Sequence, residues 1–169
     1  MPLQTAVYHV LDRHPLLKKF AGSCLASAAR GGRPLTIIAL RIDGYDELCA
    51  ACGESNACAT IRQVHELLKA KTRSRDLGGR LDGGELLIVA PDTGSTGAWV
   101  MAERIRGAVE QADFAAAPDL TVSIGVAEYE TGDGLGMLVG RAREAVAEAG
   151  RAGGNQIRMQ PPTVTAAVN

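Results

Sequence analysis

Arg73 and Asp76 stand three apart in the polar stretch Thr72-Arg73-Ser74-Arg75-Asp76, and a further arginine follows at Arg104. An arginine presents a planar fork of donors that fits the O6 and N7 edge of a guanine or a pair of phosphate oxygens. An ionised aspartate only accepts, so it suits the N1–H and N2–H2 groups of a guanine, which no cationic side chain can serve. A turn of the form R-x-x-D sets the fork and the acceptor on one side of a loop. Arg104 lies about 120° round its helix from the apolar stripe of Ala98, Ala102, Ile105 and Val109, so it is expected at the surface. Arg75 and Arg106 add positive potential nearby, which would attract a doubly anionic ligand. The plainer alternative is a solvated face of arginines, since the pattern has two free positions and the chain carries 18 Lys+Arg.

A second group of polar residues surrounds two turn signals, Arg41-Ile42-Asp43-Gly44 and Asp82-Gly83-Gly84-Glu85. Four cysteines add Cys49-x-x-Cys52, Cys24 and Cys58, but no second CxxC or His pair lies at zinc spacing, and no secretory context favours disulfides. They read as half-buried core thiols. His9 and His14 fall near the start, and His65 lies on a helix with no carboxylate or Cys at ligand spacing. Trp99 reads as a packing residue or an exposed contact.

The elements that must position these groups follow from apolar patterning. Residues 7–30 recur at helical spacing and stop at Gly31-Gly32-Arg33-Pro34. Leu35 to Leu40 is a short β-branched run, hence a buried strand. A helix runs from Tyr45 to about Ala70 with Gly53 interrupting it. The stretch 77–90 reads as a hairpin about Asp82-Gly83-Gly84. A helix over 95–113, a strand over 120–127, a helix over 137–149 and a last strand over 156–159 complete the order α-β-α-ββ-α-β-α-β. That order predicts an α/β (α+β) mixed sheet with one hairpin, surrounded by helices, as one domain over 1–159 with a disordered tail over 160–169. The net charge of −1, from 18 Lys+Arg and 19 Asp+Glu, argues against a nucleic-acid polymer as partner. Aromatics at 4% leave no stacking platform for single strands. No apolar run approaches the roughly 18 residues of a membrane span, and no basic-then-apolar leader opens the chain, so a cytoplasmic protein without membrane insertion is expected.

Several segments resemble the GGDEF domains, the diguanylate cyclase family. Arg80 to Pro91 is similar to the family's R-Y-G-G-[DE]-E-F hairpin and the apolar strand after it. Leu35 to Tyr45 is similar to the strand P-L-x-x-x-x-x-D-I-D-x-F, and Thr121 to Ala127 reads T-V-S-I-G-V-A letter for letter. Arg141, Ala142, Ala145, Ala149, Gly153 and Asn155 fall on R-A-D-x-A-L-Y-x-A-K-x-x-G-R-N, and Leu11, Pro15 and Phe20 keep the spacing of the N-terminal motif. The resemblance implies a nucleotidyl-cyclase-like fold, chemistry that joins two GTP into cyclic di-GMP, and a metal held by carboxylates.

The chain departs from the pattern the resemblance implies. The metal-binding carboxylates fall on Arg41 and Gly84, and the guanine-reading Asn and Asp on Cys49 and Cys58. The phosphate-contacting Lys and Arg fall on Gly150 and Gly154, and the first signature Gly on Asp82. Asp43, Gly83 and Glu85 match. These departures lead to the expectation of a chain that is not an enzyme, with no metal and no cofactor. Asp43 is expected in a turn or helix-cap role, and Arg41 paired with Asp82 or Glu85. In the same family the pattern R-x-x-D five residues before the first signature Gly, here Asp82, with an arginine in the helix after the hairpin, binds cyclic di-GMP as an inhibitory site; Arg73, Asp76 and Arg104 match it. The reading is a cyclic di-GMP receptor relaying to a protein partner. The alternatives are a ligand-independent interaction or homodimerisation module and a weak diguanylate cyclase.

Overall fold

The computed structural model describes residues 11–160. Its elements in chain order are α1 (Pro15–Gly31), β1 (Leu35–Ile42), α2 (Tyr45–Cys52), α3 (Glu54–Lys71), β2 (Leu77–Arg80), β3 (Glu85–Pro91), α4 (Ser95–Gln111), β4 (Val122–Glu128), α5 (Leu135–Arg151) and β5 (Ile157–Met159). The five strands form one open mixed sheet in the order β2-β3-β1-β4-β5. Strand β1 is antiparallel to both neighbours, whereas β4 and β5 run parallel. This is the mixed sheet that the order of elements predicts.

Alternation along β1 divides the core. Ile38, Leu40 and Ile42 join one cluster with Leu48, Ile61, Val64, Ala102 and Ile105 from α2, α3 and α4. Leu35, Ile37 and Ala39 face the other way, toward Leu17 and Ala21 of α1 and Leu138, Ala142 and Val146 of α5. A strand buried on both sides reads as a continuous apolar run, which is why Leu35 to Leu40 carries no polar alternation apart from Thr36. Thr36 is itself buried, and its hydroxyl donates to the Thr93 carbonyl at 2.7 Å.

Boundaries differ from the sequence expectation where glycine intervenes. The helix expected over 45–70 with Gly53 interrupting it is two separate helices, because Gly53 takes φ 82°, ψ 156° and ends the first while opening the second. The hairpin loop places Gly83 and Gly84 at φ 62° and 78°, the pair of positive angles that a two-residue turn requires. Gln160, the first residue of the expected tail, bonds the Val126 carbonyl through its backbone and Glu148 through its side chain; residues 161–169 and His9 lie outside the described residues. Among the described residues no helix is long and apolar enough to cross a membrane.

One close approach fixes how α5 sits. A Cβ on Gly125 would lie 2.0 Å from the Ala142 carbonyl oxygen and 2.6 Å from the Val146 nitrogen, so α5 rests its backbone directly on β4. Gly125→Ala should therefore cost about 3 kcal/mol or more of stability. Gly107→Ala, where a Cβ meets nothing within 4 Å, should instead stabilise α4 by about 0.5–1 kcal/mol. Urea denaturation midpoints check both, and an unshifted midpoint for Gly125→Ala would contradict the packing.

Candidate functional site

Two polar sites lie at opposite ends of β2, which is four residues long and so spans roughly 13 Å at about 3.3 Å per residue. The first is a cleft of about 630 Å3 where β1 ends, lined among others by Arg41, Asp43, Ser123, Gly150, Arg151 and Gly154. Its Asp43 carboxylate is a knot between three segments. One oxygen accepts from the Ser123 hydroxyl at 2.6 Å; the other accepts from the Thr121 hydroxyl at 2.7 Å and the Asn155 N–H at 2.8 Å. Gly154 is packed so tightly there that a Cβ would lie 2.9 Å from the carboxylate. Of the expected turn or helix-cap role the turn is what is seen, Asp43 and Gly44 joining β1 to α2, whereas no side chain caps α2, whose N-cap is Gly44. Asp43 ties the start of β4 to the turn between α5 and β5 instead.

The expected pairing of Arg41 is also corrected. Arg41 sits opposite Glu85 in the β1–β3 register, yet no ion pair joins them. Arg143 of α5 reaches the Glu85 carboxylate with two nitrogens, at 3.1 and 2.9 Å, and Asp82 pairs with Arg13 at 2.9 Å. Both carboxylates are thus claimed by nearer guanidinium groups, and Arg41 remains exposed. Position 84 has little room for any side chain, because its φ is positive and a Cβ would lie 2.5 Å from the Tyr45 ring.

A divalent cation does not fit this cleft. Both Asp43 oxygens accept from the protein's own donors, Glu85 is bound to Arg143, and Arg41 brings a fixed positive charge. Among the described residues no three His, Cys, Asp or Glu side chains converge as a metal site.

Beside the cleft, a cavity of about 580 Å3 is lined by Tyr45, Cys49, Glu54, Arg80 and Asp82 among others. Arg80 donates to the Cys58 sulfur at 3.3 Å. Burial pushes the Tyr45 hydroxyl up from its ordinary pKa, and its hydrogen bond with Cys49 adds to the shift. Cys49 and Cys52 pack against the larger core cluster, in keeping with half-buried thiols.

The second site is the turn from Arg73 to Asp76. The Asp76 N–H donates to the Arg73 carbonyl at 3.0 Å, while the Arg73 N–H donates to Asp76 Oδ2 at 2.8 Å. The two bonds close the turn on itself and leave the other oxygen, Asp76 Oδ1, buried with no hydrogen-bond partner. Arg73 is exposed, and no ion pair holds its guanidinium among the described residues. Arg104, also exposed, donates to the Lys71 carbonyl at the end of α3, which brings α4 to the start of the turn. The three residues that the family resemblance singles out, Arg73, Asp76 and Arg104, therefore lie at one corner. The added potential of Arg75 and Arg106 does not materialise: Arg75 faces Asp92 at 3.6 Å, and Arg106 is bound to Glu103, Glu110 and Asn155.

Sequence reading missed the partners that act across the chain. Arg143 could not be matched to Glu85, nor Thr121, Ser123 and Asn155 to Asp43, because only the β1–β4 register and the packing of α5 and its following turn against the sheet bring them together. His65 carries no sequence signal, having no carboxylate or Cys at ligand spacing. Its Nε2 is buried and without a partner, and it lines a cavity of about 210 Å3 with Arg73 and Asp76.

The family model described as "Diguanylate cyclase, GGDEF domain" matches residues 10–156. The chain is 30% identical over 139 residues to diguanylate cyclase DosC of Escherichia coli (strain K12), covering 80% of this chain and 30% of that protein. It is 31% identical over 141 residues to the response regulator PleD of Caulobacter vibrioides (strain NA1000 / CB15N), covering 80% of this chain and 31% of that protein. It thus spans about a third of the length of these relatives. In fold it matches the GGDEF domain of DgcB from Caulobacter crescentus in complex with c-di-GMP, at a TM-score of 0.79 and 21% identity over 85% of this chain and 87% of that one. These relatives overturn the expectation that the chain is not an enzyme, because the matching family and DosC bear the name of an activity. That expectation counted individual side chains, whereas the backbone frame is retained along the whole match.

The Asp43 knot makes a direct prediction. Asp43→Ala leaves two hydroxyls and one N–H without their acceptor and should destabilise the domain by about 2–3 kcal/mol. Thermal or urea unfolding checks this, and a variant as stable as the parent would show that the knot holds nothing.

Proposed function

The chain belongs to the GGDEF family, and on that footing we propose that it binds cyclic di-GMP at the Arg73–Asp76 turn and passes the bound state to a protein partner. The observation that carries this reading is Asp76 Oδ1, a carboxylate oxygen buried without a partner in a turn whose other oxygen is fixed. Leaving such an acceptor unmatched costs about 1–3 kcal/mol, and the N1–H and N2–H2 groups of a guanine supply what it lacks. Arg73 beside it offers an unpaired guanidinium to a second base edge or a phosphate. Arg104 is anchored at the Lys71 carbonyl with other donors of its fork to offer. DgcB, similar in fold, is a GGDEF domain solved with the same ligand.

A relay surface adjoins the turn. On α4, Val100 lies one turn before Arg104 on the same face and is 60% exposed, and Trp99 beside it is 39% exposed. Exposed apolar residues next to a ligand-binding arginine suit a partner that senses the ligand.

Calorimetric titration with cyclic di-GMP tests the reading. Arg73→Ala or Asp76→Ala should weaken binding on the order of ten- to a hundredfold, from the loss of a charge-assisted hydrogen bond worth about 1.5–3 kcal/mol. Arg104→Ala should weaken it less, and Arg41→Ala in the cleft not at all. Affinity should fall as salt rises, since arginines neutralise two phosphates. No heat and no thermal shift at high micromolar ligand would leave a ligand-independent interaction module in its place.

A further inference from the structure

We propose that His65 is a base-reading residue of the same site, pairing with O6 of the guanine whose N1–H and N2–H2 groups meet Asp76. The inference rests on the cyclic di-GMP reading above and names what sets its base preference. Four buried side-chain atoms lack hydrogen-bond partners among the described residues, and two of them, His65 Nε2 and Asp76 Oδ1, belong to residues that line one cavity. That coincidence is the observation. A buried unmatched nitrogen and a buried unmatched oxygen on one small cavity call for a ligand whose edge carries an acceptor beside donors.

The geometry of the cavity explains why both atoms are free. His65, Leu68, Lys69 and Thr72 recur at i, i+3, i+4 and i+7, so they share the face of α3 turned toward the hairpin. Leu77, Gly78 and Ile88 complete the lining from β2 and β3. Gly78 is what leaves space over the imidazole. A Cβ there would lie 3.9 Å from His65 Nε2, in ordinary van der Waals contact with it. A residue larger than glycine would cover the nitrogen with carbon.

The Watson–Crick edge of guanine presents an acceptor at O6 followed by donors at N1 and N2. An Nε2–H donor on His65 and the Oδ1 acceptor of Asp76 complement that order. Adenine reverses it, with a donor amino group at position 6 and an acceptor at N1. Its amino group would meet the His65 N–H, and its N1 lone pair would meet the carboxylate. A pair of mismatches of this kind in a partly buried site rejects the wrong base far more strongly than loss of apolar contact does. His65 and Asp76 together thus select guanine over adenine, a task that Arg73, as a donor only, performs less completely.

The test is calorimetric titration of cyclic di-GMP and cyclic di-AMP into the protein and four variants, Arg73→Ala among them, each checked for folding by thermal unfolding. The parent should bind cyclic di-GMP at least a hundredfold more tightly than cyclic di-AMP. His65→Phe keeps the ring but removes the donor; it should weaken cyclic di-GMP about tenfold and narrow the preference over cyclic di-AMP. His65→Gln, which restores an N–H donor at similar reach, should recover most of the loss. Gly78→Ala fills the cavity from the strand side without strain and should weaken cyclic di-GMP by a similar factor. If His65→Phe binds both ligands as the parent does while Arg73→Ala still loses affinity, the role of His65 is overturned and the binding site stands. If the parent binds no cyclic di-GMP, or Arg73→Ala binds as well as the parent, the site and the role of His65 fall together.

Discussion

Strand β1 has a hydrogen-bonded strand on each edge and helices on each face, so every residue from Leu35 to Leu40 is enclosed on all sides. That enclosure dictates the placement of everything polar. No charge resides from Leu35 to Leu40, and the chemistry-bearing residues are pushed to the end of β1 and to the sheet's outer strand. Arg41 and Asp43 emerge where the burial stops. On the β2 side, three strands out from β4, the hairpin carries Asp82 to Glu85 at one end and receives the Arg73–Asp76 turn at the other. The backbone contact of α5 on Gly125 holds the second layer against the same sheet.

The two ends of β2 differ in how their charges are used. At the cleft, Asp43, Asp82 and Glu85 are all bound by groups of the protein itself, from Thr121 and Ser123 to Arg13 and Arg143. These bonds knit β1, β4 and α5 together and are part of the fold's stability. At the turn, one Asp76 oxygen closes the loop and the other stays unmatched, beside an unpaired Arg73 and an unmatched His65 nitrogen. Charges that hold the fold and polar atoms left unmatched are therefore separated along one short strand. Substitutions at the turn should spare the core, because Arg73 and Arg104 are exposed and none of the core's apolar contacts passes through them.

Much of the fold was legible in the sequence because its signals are local. The apolar run of β1, the glycine pair of the hairpin and the apolar stripe of α4 each declare an element within a few residues. The meeting of Arg73, Asp76 and Arg104 was legible through spacing and resemblance. What was not legible is long-range and geometric. Glu85 finds Arg143 rather than Arg41 because α5 lies across the sheet end, and Asp43 finds Asn155 at a separation of 112 residues. His65 carried no motif, and only its position over Gly78 shows that its nitrogen is unmatched. The expectation of a non-enzyme failed for a related reason: side chains were weighed one at a time, against a frame that relatives named for the activity share along its length.

The proposed ligand-recognition corner is the turn after α3 and not the cleft at the end of β1. Amide hydrogen exchange with and without cyclic di-GMP tests it most directly, since each site lies on separate peptides. Protection confined to the peptides spanning residues 65–78 and the turn of α4 about Arg104 is the result this account predicts. Protection centred on residues 41–47 and 150–155, with the turn unchanged, would contradict it.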